Sequence, residues 1–264
     1  MLRLVHTFYS TVLLACLGAM PFAAAEIVGS DVDYTHAGDK MRGYAAYDDA
    51  SDEARPGVLV VHNWMGVSED TQRRAKMLAE LGYTAFCADI YGVDHRPANT
   101  GEASEISGAY KEDRGRLRER IAAALEQLKQ QPHVDPDRIA VIGYCFGGMS
   151  ALEAARMGAE VKGVVSFHGS YSTPTPEEAK NITAKVLVLH GYDDPFTNME
   201  ETNALMQELN SAGVDWQLVV YGGAVHSFTD PGASGEMAGA KYDPAADRRS
   251  WEHMKQFMSE IFAE

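Results

Sequence analysis

After residue 57 the chain carries six unbroken apolar runs, each followed by a polar turn, and most are separated by segments with helical spacing of apolar residues. The runs are "VLVVHNW" from Val58, "YTAFCADIYG" from Tyr83, "RIAVIGY" from Arg138, "VKGVVSFHG" from Val161, "AKVLVLHG" from Ala184 and "DWQLVVYGG" from Asp215. A strand that reads as continuously apolar is covered on both faces, which is the condition of a parallel strand inside a helix–sheet–helix sandwich. The intervening segments predict helices over residues 69–81, 104–131, 149–158, 200–211 and 247–262, the second as one long amphipathic helix. Ahead of them, "EIVGSDVDYTHAGDKMRGYAAYD" from Glu26 predicts two antiparallel strands joined by a turn near Gly38 and Asp39. This order implies an α/β fold: one mostly parallel, doubly wound sheet preceded by an antiparallel strand pair.

The first residues, "MLRLVHTFYSTVLLACLGAMPFAAAE", change the picture at one end. Arg3, a short apolar core and the small residues Ala23 to Ala25 are the parts of a secretory signal, with cleavage expected after Ala25. The apolar core is shorter than the roughly 20 residues a membrane span needs. Lipidation at Cys16 is the alternative, disfavoured because the segment after it stays apolar. Removing the first 25 of 264 residues leaves 239 for a single domain and takes away Arg3 but no acid, so the formal charge moves from −15 to −16. Such an acidic chain is a poor partner for nucleic acid or anionic membranes. An exported, soluble, monomeric protein is expected. Its two remaining cysteines, Cys87 and Cys145, are expected to stay unpaired, since a core of this size needs no staple.

Three segments carry candidate chemistry. In "GYCFGGMSALEAA", Cys145 sits between an apolar strand and a helix, with glycines at Gly143 and Gly147. A nucleophile on such a sharp turn projects from the carboxyl edge of the sheet, and the Phe146 N–H at the helix start can donate to an oxyanion. A buried structural cysteine is the alternative for this segment alone. In "VLVLHGYDDPFT", either Asp193 or Asp194 could orient a histidine, although paired aspartates after a strand also make ordinary turns. In "YGGAVHSFTD", His226 occupies a loop suited to a base, whereas His62, His168 and His190 end strands and suit local hydrogen bonding. No histidine spacing suggests metal ligation, and neither a metal nor a cofactor is expected. Cysteine, then acid, then histidine, each after its own strand, is the order of an α/β-hydrolase.

With these pieces, "VLVVHNWMG", "ADIYG", "GYCFGG", "HGYDDPF" and "HSF", the chain resembles the dienelactone hydrolase family. The resemblance implies Cys145 as nucleophile, His226 as base, Asp194 as the acid of G-x-x-D, and the Phe146 and Trp64 N–H groups as oxyanion donors. It implies a small-molecule ester or lactone as substrate, cleaved through an acyl-thioester. Two departures stand out. Asn63 replaces the family's glutamate, and Val93 and Asp230 stand where arginines usually grip an anionic substrate, with Arg96 nearby as a substitute. A neutral substrate is therefore expected, in a pocket to which Asn63, Trp64 and Tyr91 contribute. Two rivals follow: an exported thioesterase or general carboxylesterase, and a non-catalytic binding protein on the same scaffold.

Overall fold

The computed structural model describes residues 26–263; the expected signal segment, including Cys16, lies outside them. Strands β1 (Ile27–His36) and β2 (Asp39–Asp48) form an antiparallel hairpin, paired from Ile27↔Asp48 to His36↔Asp39. Ala37 and Gly38 turn it with φ of 51° and 87°, the pair of positive φ values that matches the twist of the two strands. The remaining strands are β3 (Arg55–Val61), β4 (Thr84–Ala88), β5 (Val134–Tyr144), β6 (Gly163–Phe167), β7 (Lys185–Gly191) and β8 (Trp216–Tyr221). They complete one eight-stranded sheet in the order β1-β2-β4-β3-β5-β6-β7-β8, parallel from β4 onward.

The apolar runs serve both faces because successive side chains in a strand point in opposite directions. Leu59, Val61, Phe86 and Ala88 enter one core. Val58, Val60, Ala85 and Cys87 enter the other. The first core is closed by α3 (Arg114–Lys129), α4 (Phe146–Arg156) and α5 (Met199–Ser211), through residues such as Ile121, Met149 and Leu205. The second is closed by α1 (Glu69–Ala79) and α6 (Pro244–Ala263), through Leu78, Met254 and Phe257.

One predicted element is corrected. The single helix over residues 104–131 is two helices, α2 (Thr100–Glu112) and α3. Asp113 leaves the helical region, with φ −104° and ψ 82°, and its carboxylate accepts the Arg116 N–H at 2.9 Å. An aspartate that caps the next helix in this way offers the backbone an alternative to continuing the previous one. The break frees α2 to lean over the carboxyl edge of the sheet, whereas α3 stays packed in the core.

Candidate active site

β5 ends at Tyr144 and α4 begins at Phe146, so Cys145 alone makes the turn, with φ 57° and ψ −115°. A non-glycine residue pays for that left-handed conformation unless its surroundings over-determine it. Here they do: Cys145 N–H donates to Phe167 O at 3.0 Å, and Cys145 O accepts the Gly148 N–H at 2.9 Å. The flanking glycines are required by contact. A methyl group on Gly143 would lie 1.9 Å from Gly147 O, and one on Gly147 would lie 2.1 Å from Val61 O.

Beyond β7, Asp194 is buried while Asp193 faces solvent. Asp194 Oδ1 accepts the Phe196 N–H at 2.8 Å, and Oδ2 lies 2.7 Å from His226 Nδ1. Those bonds fix the tautomer and leave Nε2 of His226 for the thiol. His226 comes from the loop after β8, is 8% exposed, and is held by its N–H on Gly239 O and its carbonyl on the Lys241 N–H. Its ring meets Phe196 and His168 edge to face, with centroids 5.2 and 5.1 Å apart.

The electrostatics of this pair follow from its contacts. Burial opposes ionisation of the Cys145 thiol, but the His226 charge, its hydrogen bond and the Phe146 N–H outweigh it, holding the thiol below its ordinary value. Burial also disfavours the His226 cation, yet Cys145 and Asp194 together hold it well above the ordinary imidazole value. The two shifts favour a thiolate beside an imidazolium. Alkylation of Cys145 by iodoacetamide should therefore rise with pH around a midpoint below 9.0, the ordinary thiol value. In His226→Gln burial, the helix end and the Lys111 charge remain without the charge of the histidine, so the midpoint should move upward. An unchanged midpoint would show that His226 does not set the thiol's ionisation.

The loop after β3 brings Trp64 to the same edge. Asn63 Oδ1 accepts the Met65 N–H at 2.9 Å, so its amide oxygen serves the turn, and Asn63 is not among the residues lining the cavity above Cys145. Tyr91 does not line it either. It is fully buried against His62, Tyr110 and Phe146, and its hydroxyl donates to Trp64 O at 3.1 Å. Two of the three residues expected in the pocket, Asn63 and Tyr91, instead shape the turn that presents the third, Trp64, whose N–H has no acceptor among the described residues.

The strand-ending histidines are structural. His62 Nε2 accepts the Ile90 N–H, His190 Nδ1 faces the Tyr171 hydroxyl at 3.1 Å, and His168 Nε2 lies 2.7 Å from Thr229 Oγ1. Thr229 also anchors the His226 loop through its carbonyl, which accepts from Arg74 Nη2 at 2.6 Å while the same nitrogen pairs with Asp247 at 2.7 Å. Arg74 is 1% exposed, and breaking such a buried pair is costly. Arg74→Met should lose about 3 kcal/mol of unfolding free energy in urea titration. A loss below about 1 kcal/mol would mean that the loop is held without it.

Above Cys145 opens a cavity of about 330 Å³. Cys145, Phe146, Trp64 and His226 form its base. Ser104, Ser107, Gly108 and Lys111 of α2 form one wall, and Phe196 and Met237 also line the cavity. The α2 wall was not readable beforehand: small and polar residues at helical spacing look the same whether they face a cavity or solvent. Among the described residues, no group of three or more His, Cys, Asp or Glu side chains could hold a metal ion.

A model of the dienelactone hydrolase family matches residues 41–262, from β2 through α6. The chain belongs to the dienelactone hydrolase family. A dienelactone hydrolase-like promiscuous phosphotriesterase from metagenomic libraries is 39% identical, with a TM-score of 0.85 over 89% of this chain and 98% of that one. A protein of Aquifex aeolicus provisionally named a carboxymethylenebutenolidase is 28% identical over 85% of this chain and 95% of its own length. A Bradyrhizobium protein provisionally named a 2-oxo-3-(5-oxofuran-2-ylidene)propanoate lactonase is 27% identical, over 74% and 80% respectively. This dienelactone hydrolase family member is thus an enzyme of the ester and lactone hydrolase class.

Within that family the departures acquire positions. Arg96 does not reach the cavity: its Nη2 donates to the buried Asp89 carboxylate at 3.0 Å and to Arg42 O at 2.6 Å. Val93 lies in a short 3-10 turn outside the cavity lining. Asp230 is also outside it, its Oδ1 accepting the Gly232 N–H at 2.8 Å. Asp230, which stands where an arginine usually grips an anionic substrate, is therefore turned into its own loop.

Proposed function

We propose that this protein hydrolyses activated esters or lactones through a thioester on Cys145. The observation that carries the reading is the convergence, at one sheet edge, of a strained cysteine turn with a histidine whose other nitrogen is held by a buried carboxylate. The Cys145 thiolate attacks the carbonyl carbon, and the new oxyanion is held by the Phe146 and Trp64 N–H groups, each contributing about 3 kcal/mol. Collapse breaks the bond to the leaving oxygen, which takes the proton from His226 Nε2. Water then gives a proton back to Nε2 and attacks the thioester carbonyl, expelling the thiolate and releasing the acid.

A thiolate leaves as readily as it attacks. The tetrahedral intermediate goes forward only when the substrate's own leaving group competes, as in enol lactones, aryl esters and thioesters. Amides and plain alkyl esters fit poorly. We further infer that the enzyme is exported, that its signal is removed at Ala25 and that it acts as a monomer.

The test is intact mass spectrometry of the mature protein mixed briefly with an activated aryl ester. A single acyl adduct, absent from Cys145→Ala and decaying as acid is released, is the expected result. No adduct and no turnover in folded protein would instead fit a binding protein on this scaffold.

A further inference from the structure

The α2 wall of the cavity carries no acid, although the protein as a whole is acidic. Ser104, Ser107, Gly108 and Lys111 are spaced i, i+3, i+4 and i+7, so a single helical face looks into the cavity. That face carries no apolar side chain and no acid. Among the described residues no Asp or Glu lines the cavity at all, in a chain with 38 acids against 23 lysines and arginines.

Among the described residues, Lys111 is the one lysine or arginine in the lining. It has no ion-pair or hydrogen-bond partner among the described residues, and neither does the Ser104 hydroxyl. Three other hydroxyls there are committed, Ser107 to Ser104 O at 3.4 Å, and Ser170 to Glu201 and Thr197 to Gly169 O, each at 3.1 Å, while that of Ser227 has no partner among the described residues. The Lys111 charge also reaches the reactive sulfur, where it favours the thiolate. An unpaired ammonium in the same cavity as a nucleophile, in a lining free of acids, is a receptor for negative charge. Phe196 and Met237 supply apolar surface to the same lining, 51% and 42% exposed.

We infer that Lys111, assisted by the Ser104 hydroxyl, determines specificity by binding a carboxylate on the acyl part of the substrate, whose hydrocarbon body lies against Phe196 and Met237. The inference rests on the hydrolase reading for its substrate but not for its anion site. It places the anion-reading charge on helix α2, away from Val93, Arg96 and Asp230, and it replaces the expectation of a neutral substrate.

Two measurements separate the anion site from the chemistry. The first compares alkylation of Cys145 by iodoacetate and by iodoacetamide, which needs no turnover. The rate ratio of anionic to neutral reagent should fall about three- to tenfold in Lys111→Met, stay near wild type in Lys111→Arg and fall further in Lys111→Glu. A ratio that ignores residue 111 would overturn the inference. The second compares kcat/KM for mono-4-nitrophenyl glutarate with that for 4-nitrophenyl butyrate. The wild type should favour the glutarate. That preference should drop about tenfold in Lys111→Met, through KM more than kcat, and return in Lys111→Arg. An alkylation ratio that follows residue 111 while neither ester acylates Cys145 keeps the anion site and overturns the hydrolase reading. Turnover of both esters with a preference indifferent to residue 111 does the reverse.

Discussion

Cys145→Ala is expected to lower kcat/KM for an activated aryl ester by about 10⁴-fold or more, with the far-UV circular dichroism and melting curve unchanged. The size of the effect follows from what an alanine leaves behind. The Phe146 and Trp64 N–H groups, the cavity and His226 all remain, and together they can still bind substrate and polarise its carbonyl. What disappears is the group proposed to form the covalent intermediate. Alanine at φ 57° is no more strained than the cysteine it replaces, so the elbow keeps its shape. The variant also loses the partner thiolate of His226, and the imidazole should then titrate closer to its ordinary value. A variant retaining more than about one tenth of wild-type activity would reject the thioester route, and His226 acting directly on water would be the mechanism to pursue.

The second large effect concerns stability. Gly143→Ala should cost more than about 3 kcal/mol or prevent folding, a loss comparable to severe core overpacking. All three nearest neighbours of the added methyl group are backbone atoms of Gly147, at 1.9, 2.2 and 2.9 Å, and backbone cannot rotate away as a side chain does. Relief requires moving the first turn of α4 off β5, but that turn is itself wedged against Val61 O through Gly147. The helix is buried along its whole length, so shifting it disturbs the core on that face of the sheet. Urea unfolding followed by fluorescence reads the cost. A midpoint matching the wild type's would show that the elbow opens easily, and the packing account of the two glycines would fail.

The central sheet was legible because strands buried on both faces must be apolar throughout, and five helices at 3.6-residue spacing close the two cores between which those runs divide. The meeting of Cys145, Asp194 and His226 was legible because each lies just beyond its own strand, and chain order with strand ends fixes which edge they share. What escaped had a common cause. The break at Asp113 hides inside a segment with good helical periodicity on both sides. Asn63 and Tyr91 read as pocket residues from their neighbours in sequence, yet a turn's internal hydrogen bonds and a buried aromatic cluster claim them. Lys111 carries no signal of its own in the sequence, since a lysine on a helix looks the same whether it faces solvent or lines a cavity.

The division between α2 and α3 separates two kinds of constraint. Groups proposed for bond-making sit on the sheet edge, in β5, β7 and β8 connections where almost every neighbour is backbone or core. The wall facing them belongs to a helix of which only Ala103, Ser107 and Tyr110 are buried. Ser104, Gly108 and Lys111 can therefore change with little penalty to folding, as surface helix positions usually do. Descendants of this chain could acquire new selectivity by drift along one short helix while the reactive centre stays untouched, and a library randomised at those three positions would sample that evolutionary freedom directly.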